Sequence, residues 1–248
     1  MTDQPRETLD WTGGDVLWIS LGGLVLTLAG IIGWDALTGQ NIIRANPSTH
    51  LPPYYNVGIA GIELCALISS VYLLGLRRRH LSWTSIGFRS FSRNWLAISL
   101  LMATLLVPLV GLIALGIQLV LGLPLDNPQL DFLAPQEFTW AAAAAMLLLV
   151  GIAIPIAEEL YFRGVLYSWL RNRFGAGVGM TVSALVFGAL HGDISLAVAT
   201  FVMGLFLAWI YEQSQSLWLS ILIHGINNSI KVILLYLLIA LGIDIPGL

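Results

Sequence analysis

Charge is scarce in this chain. Only 10% of its 248 residues are Asp, Glu, Lys or Arg, where an ordinary soluble domain carries roughly 25%, so a soluble globular fold is excluded. Cysteine is nearly absent too. Cys65 stands alone inside an apolar run, which rules out a disulfide framework and a thiolate zinc cluster. There is no long basic block and the formal net charge is -3, which argues against nucleic acid as a partner. No internal repeat or low-complexity linker marks a second domain.

What fills the chain is apolar sequence, 57% of all residues. A helix needs about 20 mainly apolar residues to cross the hydrocarbon layer, so the expected fold is all-α, a polytopic membrane protein with about seven spans and a range of six to eight. The apolar runs are too long, and too little alternating, for a membrane barrel. Spans are expected at Val16 to Trp34, Val57 to Leu76, within Trp95 to Leu123 with a kink at Pro108, and from Phe138 through Pro155 to Trp169. Val178 to Leu190, Ile194 to Tyr211 and Leu217 to Leu241 complete the set. This divides the chain into a short tail (1–15), three helices with their loops (16–136), a core (137–241) and a second tail (242–248). The first residues are polar and mostly acidic, unlike a secretory signal. Arginine gathers at Arg77, Arg78, Arg79, Arg89 and Arg93, which the positive-inside bias assigns to the cytoplasm. The amino terminus, Arg171, Arg173 and Glu212 then fall on the same side, and Asp126, Asp131, Glu137, Asp193 and Asp244 opposite. The expected location is the cytoplasmic membrane, with the N-terminus inside.

Ionisable groups within spans cost roughly 2.5–3.5 kcal/mol each at a helix centre, so the few that occur ask for a reason. They are Glu63, Glu158, Glu159, Arg163, His191, His224 and Lys231, with Asn227 and Asn228 as amides. Glu159 and Arg163 are four apart and share a helix face, while Glu158 is rotated away by about 100°. One carboxylate is thus paired and its neighbour left to another environment, a division suited to one structural and one proton-transferring role. The plainer alternative is a helix end sitting in water. Phe187 and His191 are four apart, as are His224 and Asn228. A lone buried histidine is more often a packing residue, but two of them on helices beside a carboxylate pair are harder to dismiss. Glu158 lies 17 residues before Gly175 and His191 16 after it, so a turn there brings both to one level. His224 and Asn228 fall somewhat shallower. Glu63 and Lys231 are expected to pair across helices, and Gly58, Gly61, Gly188, Gly192 and Gly204 to permit close helix approach. Trp34, Tyr54, Tyr55, Trp140 and Tyr211 fit an interfacial belt.

Hydrolysis of a peptide bond needs a water, a base and donors for the oxyanion. Glu158 and His191 can activate the water, and His224 with the Asn228 amide can stabilise the oxyanion. No Ser-His-Asp set is evident. A zinc ion held by Glu158, His191 and His224 is the alternative, although no His-Glu-x-x-His helix is present. The metal-free version is preferred because Asn228 is a poor ligand and a good amide donor, so no cofactor is expected.

These residues resemble the CAAX-prenyl-protease and Abi group of intramembrane endopeptidases, the CPBP family, from about Glu137 to Leu241. Its signature, Glu-Glu-x-x-x-Arg, then Phe-x-x-x-His, then His-x-x-x-Asn, is matched by Glu158-Glu159 with Arg163, Phe187 with His191, and His224 with Asn228. The resemblance implies a glutamate-dependent or zinc-dependent membrane protease. Its first glutamate and motif histidine would activate water, and the last histidine and asparagine would serve as oxyanion donors. It further implies a peptide or protein substrate at the membrane lipid, prenylated at its C-terminus in the eukaryotic members. Two rival readings are a non-catalytic peptide-binding or bacteriocin-immunity protein and a proton-coupled transporter, the latter lacking the inverted repeat of many such proteins.

Overall fold

The computed structural model describes residues 9–40, 53–125, 134 and 138–243. Among these, the chain forms seven helices and no strand. Helix α1 is Gly13–Thr38, α2 is Pro53–Ser70 continued by a π-helical stretch Val71–Arg77, and α3 is Arg93–Leu121. Helix α4 runs Trp140–Phe174, α5 is Ala176–Ala189, α6 is Ile194–Ser214 and α7 is Leu217–Ala240. Six of them, all but α5, are long and apolar enough to cross a membrane. The protein is a polytopic all-α membrane protein.

Each expected span is present, with ends shifted by a few residues, but α5 is short. Its 14 residues rise about 21 Å, less than the roughly 30 Å hydrocarbon layer. Pro108 does not interrupt α3, which is continuous through it. The acidic group Asp126, Asp131 and Glu137, together with His50 and Asp244, lies outside the described residues.

The outward faces of α1 and α3 carry Leu17, Val25, Leu101, Leu105 and Leu112 in the open, the surface a bilayer would cover. Helix α6 is the most enclosed of the long helices and packs along α5, α3 and α7. The α5–α6 hairpin is tight because two of its glycines leave no room for a side chain. A Cβ on Gly188 would stand 2.5 Å from the Ala197 carbonyl oxygen, and one on Gly204 3.0 Å from Ala184 Cβ. Gly58 makes the same close approach to the Trp34 ring. Gly61 and Gly192 do not: a Cβ at either would meet open space, and Gly192, at φ +76°, serves the turn after α5. Of the expected belt, Trp140 and Tyr54 are exposed. Tyr55 and Tyr211 are buried instead, their hydroxyls bonded to Asp35 and to the Ile86 carbonyl (3.0 Å).

One end of the bundle is fastened by polar contacts. Asp15 closes the capping box of α1 with Thr12 and pairs with Arg78 and, at 3.7 Å, Arg79. Arg171 Nε donates to Glu212 at 3.0 Å, Ser216 Oγ donates to the Arg89 carbonyl at 2.8 Å, and Trp11 Nε1 reaches the Gly164 carbonyl at 2.9 Å. The segments that the arginine pattern groups on one side therefore share one end.

Candidate active site

The site is built on α4, whose course is irregular. Pro155 lacks an N–H and cannot donate to the carbonyl a turn earlier. The helix widens into π turns at Leu149–Ala153 and again at Phe162–Tyr167, on either side of the segment Ile154–Tyr161 that carries both glutamates. The freed carbonyls find side chains. Asn228 Nδ2 donates to Val150 O at 3.2 Å and Ser229 Oγ to Gly151 O at 3.3 Å, both from α7. Ser168 Oγ donates to Arg163 O at 2.8 Å. In a bilayer such groups must be satisfied within the protein.

The two glutamates divide as their helical offset requires. Glu159 is fully enclosed at 0% exposure and accepts from Arg163 Nη1 at 2.7 Å, with Arg163 itself 1% exposed. Arg163 Nη2 donates onward to the Gly204 carbonyl of α6 at 3.2 Å. Glu158, one residue earlier, is 27% exposed and faces α7. Between them stands His224, 2% exposed. Its Nδ1 lies 2.9 Å from Glu159 Oε1 and its Nε2 3.5 Å from Glu158 Oε2. A carboxylate only accepts, so Nδ1 carries the proton there and Nε2 is turned to Glu158.

Phe187, buried on α5, is the hub of the rings. It meets Phe162, His191 and His224 edge-on at 4.9, 5.0 and 5.7 Å between centroids. The Arg163 guanidinium sits 4.9 Å from its centre, a cation–π contact in an enclosed setting. His191 does not stand on α5, as the spacing suggests, but in the turn just past its end. Its Nδ1 donates to the Phe187 carbonyl at 2.9 Å, which leaves Nε2 as the basic nitrogen.

The structure thus brings together Glu158, Glu159, Arg163, Phe187 and His224, with His191 on the same aromatic hub. His191 approaches neither glutamate as an ion pair within 4.0 Å. The Asn228 amide is turned to Val150 O rather than to the histidines. Asn227 is the amide with capacity left: it is fully buried and both its side-chain atoms are without a partner, as is Glu159 Oε2. The expected Glu63–Lys231 pair does not form. Glu63 lies exposed on α2 within electrostatic range of Glu158, and Lys231 is within range of His191. Among the described residues no three His, Cys, Asp or Glu side chains are arranged to hold a metal ion. Glu158, His191 and His224 do not close around one point as a zinc site requires. The roles of Pro155, Ser229 and Trp11 escaped the sequence reading, and the proline within an apolar helix was the available signal.

Residues 140–230 match the family described as type II CAAX prenyl endopeptidase Rce1-like. That stretch holds every residue of the cluster and stops one short of Lys231. Two curated proteins are similar over part of their length. "Putative membrane peptidase YdiL" of Bacillus subtilis (strain 168) is 30% identical over 96 residues, 38% of each chain. "UPF0177 protein in abiGi 5'region" of Lactococcus lactis subsp. cremoris is 32% identical over 90 residues, 36% of this chain and 38% of that one. The chain thus spans about two fifths of the length of these relatives. No solved structure matches. The Rce1-like match and the peptidase relative agree in kind with the polar cluster, and α1 to α3 lie outside the matched residues.

Proposed function

We propose that this protein is an intramembrane endopeptidase that uses Glu158 as the base for a hydrolytic water. The observation that carries the reading is His224 held between two carboxylates, Nδ1 on Glu159 and Nε2 toward Glu158. Glu159, fixed by Arg163, sets the tautomer of His224 and stabilises the imidazolium that forms when the ring takes a proton, the division of labour seen when a carboxylate orients a catalytic histidine. Glu158, the more open carboxylate, accepts the proton of a water that His191 Nε2 helps to hold. The hydroxide adds to the substrate carbonyl, and the proton passes from Glu158 or His224 to the leaving amine as the carbon–nitrogen bond breaks. Protonated His224 donates to the oxyanion, and the second N–H of Asn228 is its partner once a substrate is seated. No metal enters these steps.

The substrate is a peptide or protein reaching the site from the membrane, and the name of the matched family points to prenylated C-terminal peptides. Arg77, Arg78, Arg79, Arg89 and Arg93 support an orientation in a cytoplasmic membrane with the N-terminus inside. Cleavage of farnesylated and unmodified peptides by the purified chain is the test, repeated with Glu158→Gln and after chelation. Cleavage that falls about a thousandfold or more in Glu158→Gln, by analogy with loss of a catalytic group, and survives chelation supports the reading. Cleavage retained in Glu158→Gln refutes it, and loss on chelation restores the zinc alternative.

A further inference from the structure

The end of the bundle where the arginines gather holds a polar cleft away from the catalytic cluster. It encloses about 380 Å³ with its mouth, and Arg89 and Arg171 line it together with Ser85, Ser168, Asn172 and Gln215. These residues come from separate segments that meet where the spans stop. Ser85 and Arg89 belong to the loop between α2 and α3, Ser168, Arg171 and Asn172 to the last turns of α4, and Gln215 follows the final residue of α6. The two cations are fixed in position. Arg89 Nε donates to the Thr84 carbonyl at 2.8 Å, while the Arg89 carbonyl accepts from Ser216 Oγ at 2.8 Å. Arg171 is held by Glu212, through Nε at 3.0 Å and Nη2 at 3.2 Å. Glu212 itself does not line the cleft, and among the described residues no other carboxylate does. Arg77, Arg78, Arg79, Arg93 and Arg173 add positive charge to the same end, and Asp15 offsets part of it through Arg78 and Arg79.

We propose that this cleft binds the phosphate group of an anionic ligand, carried by a lipid headgroup or by a soluble phosphate. Guanidinium groups bond phosphate oxygens with charge assistance, and hydroxyl and amide side chains complete such a site. Its level in the bundle suits a lipid. Span ends meet the headgroup layer, and the cytoplasmic leaflet, to which the arginine pattern assigns this end, is the anionic one. Charge then selects among headgroups. A zwitterionic lipid brings an ammonium that both arginines repel and that no lining carboxylate can pair, whereas phosphatidylglycerol brings only its phosphate and hydroxyls. The inference stands apart from the peptidase reading, and Ser85 and Arg89 lie outside the family-matched residues 140–230.

The test uses the full chain in nanodiscs holding equal phosphatidylglycerol and phosphatidylcholine, and native mass spectrometry counts the lipid retained on release into detergent. In a second arm, thermal unfolding is followed in phosphatidylcholine nanodiscs with inorganic phosphate or with chloride at equal ionic strength. Arg89→Gln removes one cation, and Gln215→Glu puts an anion into the lining with little change of shape. Arg173→Gln, at an exposed arginine outside the lining, is the control, and cooperative unfolding shows that each variant is folded. The unmodified chain is expected to retain phosphatidylglycerol over phosphatidylcholine by roughly tenfold or more, the strength of one charge-assisted bond. Both cleft variants bring that ratio to about one, and Arg173→Gln leaves it unchanged. This result assigns the lipid. Stabilisation by inorganic phosphate that vanishes in both cleft variants assigns a soluble phosphate instead. Neither effect in the unmodified chain, a preference that survives both cleft variants, or one that Arg173→Gln abolishes equally overturns the proposal.

Discussion

At the scale of single residues, Glu159 and Arg163 form an ion pair enclosed to 0% and 1% exposure at the centre of the polar cluster. The four-residue spacing on a helix puts the two on one face, and the pair forms at 2.7 Å even though Arg163 already lies in the π-helical stretch Phe162–Tyr167. That His224 bridges to Glu159 could not be read from spacing, because the contact joins residues 65 apart through tertiary packing. A buried pair of this kind is expensive to break. Arg163→Ala should lower stability by about 3–5 kcal/mol in a denaturant titration of the detergent-solubilised protein. Arg163→Lys should recover only part of it, since a point ammonium cannot reach Glu159 and the Gly204 carbonyl together. Asp193, outside the spans, caps α6 by accepting from Ser195 N at 2.9 Å and Leu196 N at 3.0 Å. The Ser195 hydroxyl and these N–H groups hold its carboxyl below the ordinary aspartate value of 3.8. A depressed carboxyl favours the folded state above the unfolded value and loses that contribution as pH falls through the folded one. Asp193→Asn should therefore keep the cap but flatten the stability profile below about pH 4, measured by thermal unfolding between pH 3 and 6.

At the scale of elements, hydrophobic runs located every helix because a span must be long and apolar. They placed the ends less well, because caps such as Thr12 and Ser92 lie in polar flanks that carry little periodicity. Composition alone marks α5 as a span, because an apolar run does not show that its helix is only 14 residues long. The π turns of α4 had one visible sign, Pro155, and their completion by Asn228 and Ser229 depends on a helix some 75 residues later. This gives Asn228 a packing duty alongside its proposed chemistry. Asn228→Ala should cost about 1–3 kcal/mol by leaving Val150 O without a partner. In Pro155→Ala, which restores a backbone donor, the same change should cost less. Unfolding free energies of the two single variants and the double variant measure that coupling, and additive losses would show that the two sites are independent.

At the scale of the whole molecule, six helices can cross a bilayer and the polar cluster is assembled from α4, the α5–α6 turn and α7. The motif residues were all legible in sequence, since ionisable side chains stand out in a chain with so few. Their mutual arrangement was legible only in part. Counting about the Gly175 turn gives only an expected common level for Glu158 and His191, and the rotation of His224 between two carboxylates depends on how α7 lies against α4. The central claim is that Glu158 and His191 act on one water. Its most direct test is a double-mutant cycle in kcat/KM for peptide cleavage by Glu158→Gln, His191→Ala and the double variant. Groups that work as a unit give a double variant no slower than the poorer single one, and that is the expected result. Losses that multiply, or cleavage that persists in either single variant, would contradict it.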